Sequence, residues 1–164
     1  MQATASLDPE SEGVIIVPGA AGRIAEPTDG STDETIPAIL ARTTRTLLPE
    51  LMKSAFENAQ VTVATVCGGS LALAMAGLIE GRRAVRHHLG MDLLGATGTI
   101  PVRARIVDDG DFVSAAGVTS GLDLALYLLE REVGPRIALA VEELFEYERR
   151  GTVWRCDGRD AAAM

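Results

Sequence analysis

Aromatic side chains are scarce in this chain: three Phe, two Tyr and one Trp make up 4% of 164 residues, although 47% of the residues are hydrophobic. A core must therefore be built from Ala, Val, Leu and Ile. Such side chains suit helices layered tightly on a sheet better than an aromatic stacking surface. Lysine is almost missing, since Lys53 is the single Lys among fifteen basic residues. The net charge of −8 and the pI near 4.7 argue against nucleic acid as a partner. Two cysteines, no Cys-x-x-Cys and one adjacent histidine pair make a structural zinc site improbable and suggest free thiols. No apolar run approaches the ~18 residues of a membrane span. Residues 1–8 have neither the basic nor the apolar stretch of a secretory leader, so a cytoplasmic protein off the membrane is expected. No cofactor is expected.

What remains fits one domain. A chain of 17.2 kDa is large enough to bury a core, roughly two-thirds of its unfolded surface. Residues 1–12 are polar and read as a disordered leader. Residues 14–17, Val-Ile-Ile-Val closed by Pro18-Gly19, read as a strand buried on both faces. A loop rich in Gly, Pro, Thr and Asp follows over 20–34. A helix is expected from Thr35, with Pro49 kinking or restarting it. Residues 61–66 are β-branched at five of six positions and form the second buried strand. An Ala- and Leu-rich helix then runs to Gly77.

Beyond it, a short strand is expected over 82–86, a short helix over 89–95, and a strand over 102–107 with Arg103 and Arg105 on its wet face. Asp109-Gly110 marks a hairpin turn before Phe112. Ser120 to Asp123 has the spacing of a capping box, with Asp123 reaching back to free backbone N–H groups. The helix over 122–129 is apolar almost all round and should be buried. A last helix opens at Pro135, with Ile137, Ala140, Val141, Leu144 and Phe145 on its inner face. Its outer face carries Glu142, Glu143, Glu146 and Arg149, expected to be solvated. Residues 151–164 are expected as a tail. This alternation predicts an α/β domain over 13–150, with helices on both sides of a mainly parallel sheet.

The passage from Val61 to Gly77 is strand, Gly-rich turn and helix, with Cys67 at the apex. Gly68 and Gly69 permit a tight turn, the sulfur lies at the helix start where the dipole favours thiolate, and free N–H groups remain for an oxyanion. On these residues alone two readings stand side by side, a reactive thiol and a small buried residue.

Several ordered motifs resemble the ThiJ/PfpI superfamily. Val66-Cys67-Gly68-Gly69-Ser70, Ala76-Gly77-Leu78 and Gly81-Arg82-Arg83-Ala84 are similar to its run from cysteine elbow through helix to the next strand. The segments 105–111, 117–123 and 146–150 are similar to the C-terminal half of its bacterial members, in the style of isonitrile (isocyanide) hydratases. Val17-Pro18-Gly19-Ala20 resembles the Pro-Gly-Gly turn that faces the cysteine. The resemblance implies a flavodoxin-like three-layer α/β/α sandwich, Cys67 as nucleophile, and Gly68, Gly19 and Ala20 as oxyanion or substrate-binding positions. His87 matches the histidine of the superfamily's Thr-Thr-His segment, with a catalytic and a surface role equally open. Gly68 stands where isonitrile hydratases favour Thr, which removes a hydroxyl contact.

The resemblance also implies a strand-helix-strand unit before residue 14, carrying an Asp or Glu that contacts the cysteine. Thirteen residues are too few for that unit, so the expectation is an N-terminally truncated domain. Glu12 and Glu26 could replace the acid only by accident of folding. The implied activity is a Cys-dependent hydro-lyase or hydrolase acting on a small electrophile, weakened by the missing acid. The alternative is a redox-sensing or stress-protective protein with Cys67 as an oxidisable thiol. The sensory domain of a transcription regulator is a third, weaker reading. Homodimerisation is expected.

Overall fold

The computed structural model describes residues 4–23 and 34–157. In chain order the first elements are β1 (Gly13–Val17), α1 (Ile36–Thr43), α2 (Leu48–Glu57), β2 (Val61–Val66) and α3 (Gly69–Met75). Next come β3 (Arg83–Ala84), a 3₁₀ turn at His88–Gly90, α4 (Met91–Ala96) and β4 (Ile100–Pro101). The chain continues through β5 (Ile106–Asp108), β6 (Phe112–Ala115), α5 (Ser120–Val133), α6 (Pro135–Phe145) and β7 (Trp154–Arg155). Five strands form a sheet in the order β1-β2-β6-β5-β7, in which only β5 and β6 run antiparallel. β3 and β4 make a separate parallel pair.

The period of two along β2 feeds two cores. Val61 and Val63 face Met52, Ala55, Leu73 and Leu94 from α2, α3 and α4, together with Phe112. Ala64 faces the other way, against Leu124, Tyr127 and Leu128 of α5. Helices therefore cover both faces of the sheet, the three-layer arrangement expected of a flavodoxin-like α/β fold. Each fully buried Val, Leu or Phe contributes about 1.5–3 kcal/mol. Thr35 caps α1 by accepting from the Ala38 N–H, and Pro49 sits in the first turn of α2, so the helix restarts there.

Several local expectations need correction. The strand expected over 102–107 exists only from Ile106, and the one over 82–86 is two residues long. Arg105 does not point to water: it pairs at 2.6 Å with Asp123, which is 1% exposed. Asp123 is consequently no helix cap. It accepts from Arg105, Tyr147 Oη and the Arg150 N–H, and α5 has no side-chain cap. Leu122 is half exposed, though Leu124, Leu126 and Leu128 of the same helix are buried. On α6 only Ala138 is buried, while Ile137, Leu144 and Phe145 face outward. On its polar side Arg149 pairs with Glu142 and, on α5, with Glu130, while Glu143 and Glu146 are exposed as expected. The segment expected as a tail supplies β7, which extends the sheet beside β5. Residues 4–12 contain no helix or strand, and Asn58 donates to the Pro9 and Glu10 carbonyls.

Candidate functional site

Strand β2 delivers Cys67 to the carboxyl edge of the sheet. The Cys67 N–H donates to the Ala115 carbonyl at 2.9 Å, which continues the parallel ladder one residue past the strand. The chain then reverses with Cys67 at φ 56°, one of two non-Gly residues in the left-handed region among those described. Such a conformation is strained for a residue with a Cβ and persists only where its surroundings enforce it. They do so here. A Cβ on Gly69 would lie 2.2 Å from the Val17 carbonyl oxygen, so the end of β1 presses directly on the start of α3. A Cβ on Gly19 would meet the Gly68 nitrogen at 2.9 Å and the Cys67 Cβ at 3.1 Å. The turn after β1 and the turn after β2 thus pack backbone against backbone, and glycine is the residue that fits.

Cys67, Gly68, Gly19, Ala20 and His87 all line one cavity of 610 Å³. Its walls are otherwise mainly apolar, with Leu40 and Leu71 at the base and the exposed Leu89, Leu93 and Val118 at the rim. Neither the Gly68 nor the Ala20 amide donates a hydrogen bond among the described residues, which leaves both available to an oxyanion. Cys67 is partly buried and Cys156 exposed, and both are free thiols.

His87 is held beside the cavity but is not bonded to Cys67. Its Nδ1 accepts weakly from the Leu89 N–H at 3.4 Å, and its ring lies against that of His88 with centroids 4.3 Å apart. Burial, then the charges of His88 and Arg86, hold the His87 imidazole below its ordinary value, so it is neutral near pH 7. No Asp or Glu lines the cavity among the described residues. Glu12 lies before β1 and is exposed, whereas Glu26 falls outside the described residues. No group of three or more His, Cys, Asp or Glu gathers at metal-binding distance among the described residues.

One site residue escaped the sequence reading. Arg86 lines the same cavity and is 9% exposed. Its placement begins with Val85, whose N–H donates to Ser114 Oγ and whose carbonyl accepts from Ser70 Oγ. Ser70 is in turn bonded to Thr65 at 2.6 Å. This buried hydroxyl network ties the chain after β3 to β2, α3 and β6, and fixes where Arg86 and His87 emerge. Burial pulls the Arg86 guanidinium below its ordinary value, and the nearby Cys67 side chain pulls the other way. The only hint in the sequence is its adjacency to His87.

A cysteine at the apex of a strand-to-helix turn, at the carboxyl edge of a mostly parallel sheet covered on both faces, defines a cysteine-elbow domain of flavodoxin-like architecture. The chain belongs to the DJ-1/PfpI family, which matches residues 38–131. It is 45% identical over 85 residues to an isonitrile hydratase of Pseudomonas putida, a match covering 52% of this chain and 37% of that protein. It is 36% identical over 87 residues to the HTH-type transcriptional regulator CdhR of Pseudomonas aeruginosa, covering 52% of this chain and 26% of the regulator. The structure of a ThiJ/PfpI family protein from Pseudomonas syringae superposes with a TM-score of 0.61 at 30% identity, covering 68% of this chain and 46% of that one. The chain thus spans less than half the length of each of these relatives. No helix among the described residues is long and apolar enough to cross a membrane.

Proposed function

We propose that Cys67 is the nucleophile of an isonitrile hydratase-like site acting on a small electrophile. The observation that carries this reading is the Cys67 turn itself: a strained apex opening on an apolar cavity, with the unbonded Gly68 and Ala20 amides beside it. In this reading the Cys67 thiolate adds to the terminal carbon of an isonitrile while that same carbon takes up a proton, giving a thioformimidate. Water adds to that carbon, the S–C bond breaks, and the N-formamide leaves with the thiol restored. The net change is the addition of one water to the isonitrile.

Both proton transfers need a placed acid or base, typically worth ~10²–10⁴-fold. With no carboxylate among the described cavity-lining residues, the neutral His87 imidazole is the group we assign to them. The expected result is Cys67-dependent but slow turnover. Incubation of the purified chain with a simple isonitrile should yield formamide, and Cys67→Ala should abolish it. Turnover at an equal rate in the Ala variant would overturn the reading.

A second reading is favoured by the Arg86 charge next to Cys67 in a cavity with no carboxylate among the residues that line it. That setting also suits an oxidisable thiol whose anionic sulfenate or sulfinate is stabilised by the guanidinium. Repeated turnover separates the first reading from a single irreversible modification, which favours the second. We also propose that the chain acts as a homodimer.

A further inference from the structure

Two buried side-chain polar atoms lack a hydrogen-bond partner among the described residues, Arg86 Nε and Ser120 Oγ. Ser120 is 1% exposed and Arg86 9% exposed. Both residues line a second cavity, of 520 Å³, which adjoins the Cys67 cavity and shares Arg86 and His87 with it. Arg86 has no ion pair at all among the described residues, whereas Arg82, Arg105, Arg131 and Arg149 each face a carboxylate. A buried cation without a counter-charge loses hydration and regains nothing, so such groups are normally paired. The second cavity also carries Arg103, Arg105 and His88, with no Asp or Glu in its lining. In a chain of net charge −8, such a concentration of positive charge is a local reversal, and Arg105 alone of its arginines is neutralised, by Asp123.

Gly90 shows that the guanidinium position is specified. A Cβ there would lie 2.3 Å from Arg86 Cζ, so the side chain lies flat over a residue that has none. The backbone of Gly90 is not in the left-handed region, which leaves this close approach as the reason for glycine.

We propose that Arg86 anchors a carboxylate on the small molecule that Cys67 attacks, with the carboxylate seated in the second cavity against Arg86, Arg103 and the Ser120 hydroxyl. The inference rests on Cys67 being the attacking group and adds the substrate class: an electrophile carrying an anionic group a few bonds from the reactive carbon. Neutral electrophiles of the same size lack the charge-assisted hydrogen bonds that such a group makes with a guanidinium.

Stoichiometric alkylation tests this without any turnover. In each reaction the S–C bond forms and iodide leaves, so the two reagents differ only in charge. The Cys67 to Cys156 rate ratio is expected to be about tenfold higher with iodoacetate than with iodoacetamide, the worth of one or two charged hydrogen bonds. Arg86→Gln, Gly90→Ala and Ser120→Ala should each bring the two ratios together, Gly90→Ala by displacing the guanidinium while its charge is kept. Equal ratios in the parent chain, or a preference that survives Arg86→Gln, would overturn the proposal. Should Arg86→Gln not fold, calorimetry of inorganic phosphate on the Cys67→Ser chain decides. Saturable binding, absent in Cys67→Ser/Gly90→Ala, supports the anchor, and no heat beyond a sodium chloride control overturns it. Because this second arm needs no thiol, it separates failure of the anchor from failure of Cys67 as nucleophile.

Discussion

Gly19 lies so close to Cys67 that a Cβ added to it would sit 3.1 Å from the Cys67 Cβ and 2.9 Å from the Gly68 nitrogen. Both neighbours belong to a backbone turn that cannot yield cheaply. Gly19→Ala should therefore push the turn after β1 away from the elbow, at an overpacking cost of about 1–3 kcal/mol. Alkylation of Cys67 by iodoacetamide should slow in parallel, while Cys156 is unaffected. Unchanged urea midpoint and unchanged Cys67 rate would show that the two turns do not support each other.

Exposure alone predicts that Cys156 reacts faster, since it is exposed and Cys67 only partly so. The proposed activation of Cys67 predicts the reverse order with iodoacetamide and with dilute peroxide. Mass spectrometry of the partly labelled chain reads the order directly. Faster labelling of Cys156 would remove Cys67 from the catalytic assignment.

The Arg105–Asp123 pair joins the loop before β5 to α5, and Asp123 also receives Tyr147 and the Arg150 N–H. Asp123→Ala strips three donors of one buried acceptor and should cost about 3–5 kcal/mol. Asp123→Asn keeps the shape and part of the bonding, so its loss should be smaller. Chemical unfolding monitored by Trp154 fluorescence ranks the two. A cost below about 1 kcal/mol for the Ala variant, the size of an exposed pair, would contradict the burial.

Tyr127 is buried on α5 and donates to the Asp108 carboxylate. Burial first, then that hydrogen bond and the Asp108 charge, push its phenol up to about 12 from 10.0. The folded state thus holds this proton more tightly than the unfolded one. The associated stability is complete below the unfolded value and is lost as pH rises through the folded one, between about pH 10 and 12. In the parent chain the urea midpoint should fall across this window, and Tyr127→Phe should flatten that fall. An identical alkaline decline in both would refute the assignment.

Edge strand β1 exposes half of Ile16, and α6 exposes Leu144 at 77% and Phe145 at 71%. An unpaired strand edge and uncovered apolar side chains favour self-association. Light scattering at micromolar concentration should report a dimer or larger, and Leu144→Glu/Phe145→Glu should lower the mass. A folded monomer of 17.2 kDa in the parent chain would rule the homodimer out.

Much of this domain was written in local pattern. The β-branched run at 61–66, the glycines after Cys67 and the turn at Pro18-Gly19 each specify their conformation through nearest neighbours. Strand, elbow and facing turn could therefore be read in order, and with them the family. The two-residue strands β4 and β7 carry no such pattern, because each is defined only by the partner it pairs with.

The sequence by itself determined the alternation of elements and the Gly-rich turn that follows Cys67, since backbone sterics acts within a few residues. Tertiary structure alone decided which charges meet. Asp123 looked like a cap because Ser120 stands three residues before it, yet it is bound by Arg105 and Arg150, 18 and 27 residues away. Arg86 carries no signal in the sequence beyond its place next to His87, yet the hydroxyls of Ser70 and Ser114 hold the chain so that it is buried with no carboxylate partner among the described residues. Burial and pairing depend on residues brought together from distant parts of the chain, and no local spacing encodes them.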